Sequence, residues 1–491
     1  MGDPPEWSGD VVIVGAGLSG IGMAARLRRS APWARFVILE GRARPGGTWD
    51  LFRYPGVRSD SDMHTLGYGF RAWTSPQSIA SGADILAYIE ATAREERLGP
   101  HLRTGRRVES ASWDSAASRW TVRAAHDGAS ERFTCRFLVL CAGYYDADRG
   151  HAPVFAQQER FGGRIVHPQF WPGDLDVRGC RVAVIGSGAT AVTLVPALAA
   201  RGAQVTMVQR SPGYIASRPS RDRLQGWLER HLSPGRAARL TRAARIAEQI
   251  ALFQLARRRP ALVRRKVREA IVARLGPDYP VDVHFAPRYD PWDQRFCLVP
   301  DNDLFDAIRD GHVTVETGRI ERFDATGIVM ESGAHVEADI IVTATGLSLR
   351  PMGGIALDVD GAAVDAARAM VYKGAMLSDV PNHVFVVGYT NASWTLKADL
   401  VSHFTARLLN FMRRRGYATA VAVRDPSVGE RALLELDAGY VERARHLLPS
   451  QGERAPWRLF QNVLRDTPMF RLRPLKDGVL RFSRNGRESW R

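Results

Sequence analysis

Two glycine-rich turns, one near residue 15 and one near residue 186, constrain this chain more than any other feature. Gly15-Ala16-Gly17-Leu18-Ser19-Gly20 follows the apolar run VVIV from Val11 and opens the helical pattern IGMAARLRR. Gly186-Ser187-Gly188-Ala189-Thr190-Ala191 follows RVAVI and reads GxGxxA rather than GxGxxG. A strand that turns into a helix through such glycines lets backbone N–H groups approach a pyrophosphate at the helix N-terminus. One such turn alone is a weak signal, but strand, turn and helix together are a strong one. The chain therefore calls for two nucleotide-binding folds, and 491 residues suffice for two or three domains.

The residue at the end of each second strand separates the two nucleotides. In the first fold, FVILE from Phe36 ends in Glu40, whose carboxylate can accept hydrogen bonds from both ribose hydroxyls of an adenosine. Arg44-Pro45-Gly46-Gly47-Thr48-Trp49 comes next, a loop in which two glycines let the chain hug an extended dinucleotide. This assigns FAD to the first fold, on Gly15, Gly17, Ser19, Gly20, Glu40, Gly47, Thr48 and Trp49. In the second fold the strand-end position holds Arg210, followed by Ser211, and no carboxylate. A carboxylate would repel a 2′-phosphate, whereas a guanidinium pairs with it. The second nucleotide is therefore expected to be NADPH, on Gly186, Ser187, Gly188, Ala189, Thr190, Ala191, Arg210 and Ser211.

Apolar, β-branched runs recur along the chain, from DVVIVG at Asp10 to HVFVVG at His383, with helical patterns between several of them. This predicts a doubly wound α/β protein with two Rossmann-like dinucleotide-binding domains and a helical insertion. Residues 1–148 are expected to form the first part of the FAD domain, and 149–348 the NADPH domain with the insertion at about 216–290. Residues 349–491 are expected to complete the FAD domain and then wrap its surface. From about Ala216 to Leu275 strand patterning is absent, and helices broken at Ser233-Pro234-Gly235 and at Pro260 are expected.

The net charge of +16 is concentrated there: between Arg221 and Arg274 stand 15 Lys/Arg against four acids. This reads first as a solvated helical surface and second as a point of peripheral contact with anionic lipid. No nucleic-acid motif accompanies it. No apolar run approaches the length of a membrane span, and the first one runs straight into a fingerprint, so a cytoplasmic protein is expected. The four cysteines form no CxxC and have no metal-ligand spacing, which argues against a zinc site and against the close redox pair of flavin disulfide reductases.

Between the two folds lies Phe161-Gly162-Gly163-Arg164-Ile165-Val166-His167-Pro168-Gln169-Phe170-Trp171-Pro172. From residue types alone this is an aromatic linker with one histidine. It fits FxGxxxHxxxW(P/D), however, and so resembles the signature of Baeyer–Villiger monooxygenases. Longer matches point to the ethionamide-activating subgroup: Gly46 to Gly56, Arg58-Ser59-Asp60-Ser61-Asp62, Pro291-Trp292-Asp293-Gln294-Arg295, Ala344-Thr345-Gly346 and Gly388 to Asp399.

The resemblance covers nearly the whole chain and implies a reaction. NADPH reduces FAD, the reduced flavin adds O2 to give a C4a-peroxyflavin, and the peroxide attacks a ketone to yield an ester or lactone. Oxygen transfer to sulfur or nitrogen is the alternative. The resemblance implies that Arg295 is the cation stabilising negative charge and that Asp60 orients it. It also places Asp60 and Val108 with FAD, and Arg58, Ser59, Gln294 and Arg295 with NADPH. Phe161, Gly163, His167 and Trp171 become a hinge motif. Arginine suits its role, since it stays charged and is a poor proton donor. By position alone, Arg295 reads as a surface partner of Asp293 or Asp301. Trp394 reads either as a cover over the site or as a core aromatic.

Overall fold

The computed structural model describes residues 7–484. The run after Asp10 forms the strand Trp7–Val14, central to a nine-stranded mixed sheet. It pairs in parallel with Phe36–Leu39 on one side and Ala129–Leu140 on the other. His383–Phe385 joins Ala129–Leu140, also in parallel, so the later part of the chain completes the first sheet. Helices Leu18–Ser30 and Trp394–Arg415 pack together on this sheet, with Ile21, Leu27, Phe404 and Leu408 in one core with Val11 and Ile13. Burying a side chain of this kind stabilises the fold by about 1.5–3 kcal/mol.

The second sheet has five strands, all parallel, in the order Val313–Thr317, Gln204–Gln209, Arg181–Ile185, Ile340–Thr343, Arg164–Val166. Helix Ala189–Ala199 follows its fingerprint strand and buries Val192, Leu194, Val195 and Leu198. The doubly wound α/β architecture with two sheets is thus present, built from the runs the sequence singles out. A meander, Arg107–Asp114, Arg119–His126 and Ala129–Leu140, extends the first sheet in antiparallel pairing. Its first two strands alternate buried with less buried positions, so no continuous apolar run announces them.

Two expectations are corrected. The stretch from about Ala216 does not begin as helix: Ile215–Arg218 is a strand paired in parallel with Cys297–Pro300. A four-residue strand carrying Ser217 and Arg218 has too little apolar character to stand out beside the helices that follow. Those are Arg223–His231, Pro234–Arg258 and Pro260–Leu275, with the breaks at the expected prolines. Proline suits a first helical turn because its missing N–H has no partner there. Second, the stretch beyond Ala420 is not only a surface wrap. Thr419–Ala422 pairs with Leu480–Ser483, and Trp457 and Phe470 are buried in the first core. Isolated large side chains that each fill one hole leave no periodic pattern to read. Among the described residues, no helix is long and apolar enough to cross a membrane.

Candidate active site

A cleft of about 870 Å³ opens between the two sheets, and both fingerprint helices reach it. On the first side it is lined by Gly15, Gly17, Ser19, Glu40, Gly47, Thr48, Trp49 and Val108. Gly20 is buried behind this wall. Gly17 caps helix Leu18–Ser30 with no side-chain hydrogen bond, leaving first-turn N–H groups for an anion. Gly47 has φ +55, and a Cβ there would lie 2.9 Å from Gly17 Cα, so the two loops can meet only as glycines. Glu40 is 6% exposed, and its oxygens accept from Ala16 N–H (2.7 Å) and Arg42 N–H (2.9 Å). Burial raises its pKa, against which those two N–H groups act. Each oxygen keeps a further lone pair for a ribose hydroxyl. The neighbouring loop is pinned by Asp50, which is buried and accepts from Arg42 Nε (2.6 Å) and Arg53 Nη2 (3.0 Å). Glycine cradle, uncapped helix end and strand-end carboxylate fit the adenosine diphosphate portion of FAD.

On the second side Ala189 and Thr190 line the cleft, while Gly186, Ser187, Gly188, Ala191, Arg210, Ser211 and Gln294 lie outside its lining. Gly188 caps helix Ala189–Ala199, again with no side-chain bond, and is exposed. Ser187 Oγ donates to the Ser211 carbonyl at 3.2 Å, joining the fingerprint to the strand-end loop. Arg210 is exposed just past strand Gln204–Gln209 and has no ion-pair partner among the described residues. It is thus available to a 2′-phosphate, and the set fits NADPH. Arg58 and Ser59 also reach the cleft wall, but their side chains are already engaged. Arg58 pairs with Asp303, and Ser59 Oγ bonds the backbone of Ser61 at 2.8 and 2.9 Å.

Arg295 and Asp60 meet in this cleft, although 235 positions separate them along the chain. Arg295 Nη2 lies 2.7 Å from Asp60 Oδ2, with the two side chains 36% and 29% exposed. Asp60 holds the guanidinium well above its ordinary pKa, against the effect of burial. The alternative partners are occupied: Asp293 accepts from Arg257 Nη1 (2.6 Å) and Asp301 from Ser220 N–H (3.0 Å). Arg257 and Arg264, both on the basic helices, grip the loop that carries Arg295, through Asp293 and Asp290 (2.6 Å each).

Three tyrosines that sequence reasoning missed surround this pair. Tyr144, Tyr145 and Tyr440 line the cleft and lie within electrostatic reach of Arg295. The Tyr144 and Tyr145 hydroxyls are 2.9 Å apart. Burial pushes the Tyr440 hydroxyl up to about 12 and raises that of Tyr144 well above its ordinary value, so both stay protonated at neutral pH. A signal existed: Tyr144 and Tyr145 follow the carboxyl end of strand Ala129–Leu140, the edge at which open α/β sheets bind ligands. Trp394 is partly buried and packs against the first core. It lines the cleft, stacks on Tyr144 (centroids 5.2 Å apart) and donates from Nε1 to Ser19 Oγ at 2.8 Å.

The linker motif lies away from the cleft lining. Phe161 is buried edge-on to Phe323, and a Cβ on Gly163 would lie 2.2 Å from the Asp339 carbonyl oxygen. His167 Nδ1 accepts from Gln169 N–H (3.2 Å), and burial lowers the pKa of its ring. Gln169 Nε2 donates to the carbonyls of Asp146 (2.9 Å) and Ala147 (3.0 Å) in the connection from the first domain. Trp171 packs on the core of the second. The motif thus bonds to the backbone at residues 146–147 and packs on the core of the second sheet.

Comparisons with known proteins show the family and the fold. A family model described as "Pyridine nucleotide-disulphide oxidoreductase" matches residues 12–251. Disulfide chemistry has no support in the chain: all four cysteines are free, and burial pushes the Cys135 thiol up to about 12. "FAD-containing monooxygenase EthA" of Mycobacterium tuberculosis (strain ATCC 25618 / H37Rv) is 51% identical over 477 residues, 97% of this chain and 98% of that protein. "Probable FAD-binding monooxygenase AlmA" of Acinetobacter sp is 44% identical over 485 residues, 98% and 97% of the two chains. Among solved structures, an oxidized steroid monooxygenase bound to NADP superposes with a TM-score of 0.77 at 24% identity, covering 97% of this chain and 99% of that one. With such identity to EthA over almost its full length, the chain belongs to the EthA-like family of FAD-containing monooxygenases.

Proposed function

We propose that this monooxygenase uses FAD and NADPH to carry out a Baeyer–Villiger oxidation. Ketone, O2, NADPH and a proton become ester or lactone, NADP⁺ and water. The observation that carries this reading is the Arg295–Asp60 pair, set in the cleft between the two fingerprints.

FAD would be held by Gly15, Gly17, Ser19, Glu40, Gly47, Thr48, Trp49 and Val108, and NADPH by the Gly186–Ala191 turn with Arg210 and Ser211. When bound, the flavin supplies the redox chemistry, accepting hydride from NADPH and activating dioxygen. The rest falls to the chain. Arg295 keeps its charge at any working pH and stabilises negative charge that develops on oxygen, without giving up a proton. Asp60 fixes the direction of the guanidinium. Tyr144 and Trp394 stack as one wall, which keeps water from the reacting atoms. The protonated hydroxyl of Tyr440, which lines the cleft beside Arg295, would be a hydrogen-bond donor for a bound carbonyl oxygen.

The test is a product-identified screen of linear, cyclic and aromatic ketones, run beside thioethers and amines on FAD-loaded enzyme. Esters or lactones as the main products support the reading. S-oxides or N-oxides with no ester from any ketone would overturn it in favour of heteroatom oxygenation. NADPH consumption that yields only hydrogen peroxide would make the chain an oxidase.

A further inference from the structure

The structure divides the basic charge of the helical excursion into two populations. One is paired with acids: Arg257 and Arg264 grip the Arg295 loop, Arg274 pairs with Asp306, Arg242 reaches Asp399, and on the surface of helix Pro260–Leu275 Arg265 and Lys266 pair with Glu269 and Arg268 with Asp282. The other has no acidic partner among the described residues: Arg223, Arg230, Arg236, Arg239, Arg258 and Arg259. A purely solvated face usually mixes both signs of charge. This one does not.

Helix Pro234–Arg258 runs for 25 residues, and Arg236, Leu240, Ala243, Ala247, Ala251 and Leu255 recur along it in steps of three or four. That spacing places them on one stripe, and all are exposed, Leu240 at 50% and Leu255 at 40%. The one acid of this helix, Glu248, is drawn off the stripe by Arg218 and Arg245. On the preceding helix, Trp227 is 51% exposed between Arg223 and Arg230 at the same kind of spacing. Glu229 stands two positions from Trp227, on another face, where Gln225 Nε2 holds it at 2.7 Å. Helix Pro234–Arg258 therefore carries an apolar stripe bordered by arginines, and helix Arg223–His231, packed against it, exposes an indole between two arginines with Glu229 on its flank.

We infer that this outer face of the excursion docks on an anionic lipid bilayer. Charge complementarity selects the partner: unpaired arginines meet headgroup phosphates, and each contributes within a Debye length of the surface. Trp227, Leu240 and Leu255 sit at the depth where an indole and short apolar side chains are favoured. The stripe is a ridge on a convex helix, which suits a deformable planar partner. A nucleic acid would match the arginines but leave the leucines in water. The inference is independent of which substrate is oxygenated. Its structural consequence is that helix Pro234–Arg258, which faces lipid, also holds the Arg295 loop through Arg257.

The test is flotation of the FAD-loaded full-length enzyme with phosphatidylcholine vesicles, either pure or containing about one third phosphatidylglycerol. Binding is expected only to the anionic vesicles and to fall steeply with salt. Arg236→Glu with Arg239→Glu should weaken partitioning by about 20-fold or more. Leu240→Ser with Leu255→Ser should weaken it by about 10-fold with the charge unchanged. Flavin content and NADPH oxidation in solution report that these surface variants are folded. The inference is overturned if the enzyme fails to float with anionic vesicles, or binds both compositions alike. It is also overturned if the leucine variant binds as tightly as the parent, or if duplex DNA strips the enzyme from the vesicles at equal charge concentration.

Discussion

Replacing Asp60 with asparagine tests the site reading most directly. Asp60 and Arg295 meet through one 2.7 Å contact, and the asparagine amide oxygen can still accept that hydrogen bond. What is lost is charge. For charge centres about 4 Å apart at an effective dielectric of about 20, the Coulomb attraction is about 4 kcal/mol. Both side chains are partly open to the cleft, at 36% and 29%, so screening and the cost of ordering reduce what is realised. About 1–2 kcal/mol is then left to hold the guanidinium where oxygen charge develops, which corresponds to roughly 5–30-fold in rate. The assay is the ratio of ester formed to NADPH consumed, with flavin content read from the absorbance of the bound cofactor. D60N should keep its flavin, oxidise NADPH within about threefold of the parent and lose roughly 5–30-fold in ester. Arg295→Ala should lose more, because the cation itself is gone: about 10²–10³. The reasoning fails if D60N makes ester at the parental ratio, or if its loss of ester simply tracks loss of flavin.

Other residues make separate predictions. Arg210→Ala removes an exposed, unpaired guanidinium at the strand end, so KM for NADPH should rise about 10–100-fold while that for NADH stays unchanged; equal rises for both would remove Arg210 from 2′-phosphate recognition. Lys397 and Asp466 form a fully buried pair at 3.1 Å, joined by the Tyr389 hydroxyl at 2.7 Å. Lys397→Ala leaves Asp466 without its cation and should cost about 3–5 kcal/mol in urea unfolding; a loss below about 1 kcal/mol would contradict this. His383 is fully buried as the neutral ring, accepting Leu377 N–H on Nε2 (2.8 Å) and donating from Nδ1 to the Val380 carbonyl (3.1 Å), and burial lowers its pKa to about 4. The unfolded chain takes up this proton first as pH falls. The stabilisation is therefore complete above about pH 6.5 and is lost progressively toward pH 4, by up to about 3 kcal/mol. His383→Gln should flatten that part of the stability–pH curve, which denaturant titrations at pH 5 and 7 would show.

The sequence by itself determined the two nucleotide folds and the identity of each nucleotide. Both are short-range properties. A strand, a glycine turn and a helix are contiguous, and Glu40 and Arg210 stand at a set distance after their turns because a βαβ unit has a nearly constant length. The prolines that break the basic helices were legible for the same reason. The half-buried meander, the short strand at Ile215 and the buried Trp457 and Phe470 left no periodic trace, because each depends on neighbours far away in the chain. The meeting of Arg295 with Asp60, which only the family resemblance implied beforehand, is a product of the tertiary structure. Arg295 stands next to two aspartates in sequence, Asp293 and Asp301, and pairs with neither. Packing of the domains delivers Asp60 to it across 235 positions, gives Asp293 to Arg257, and closes Tyr144, Tyr440 and Trp394 around the result. An ion pair forms where two side chains are brought together with least loss of solvation, and that is a property of the folded surface rather than of neighbours along the chain.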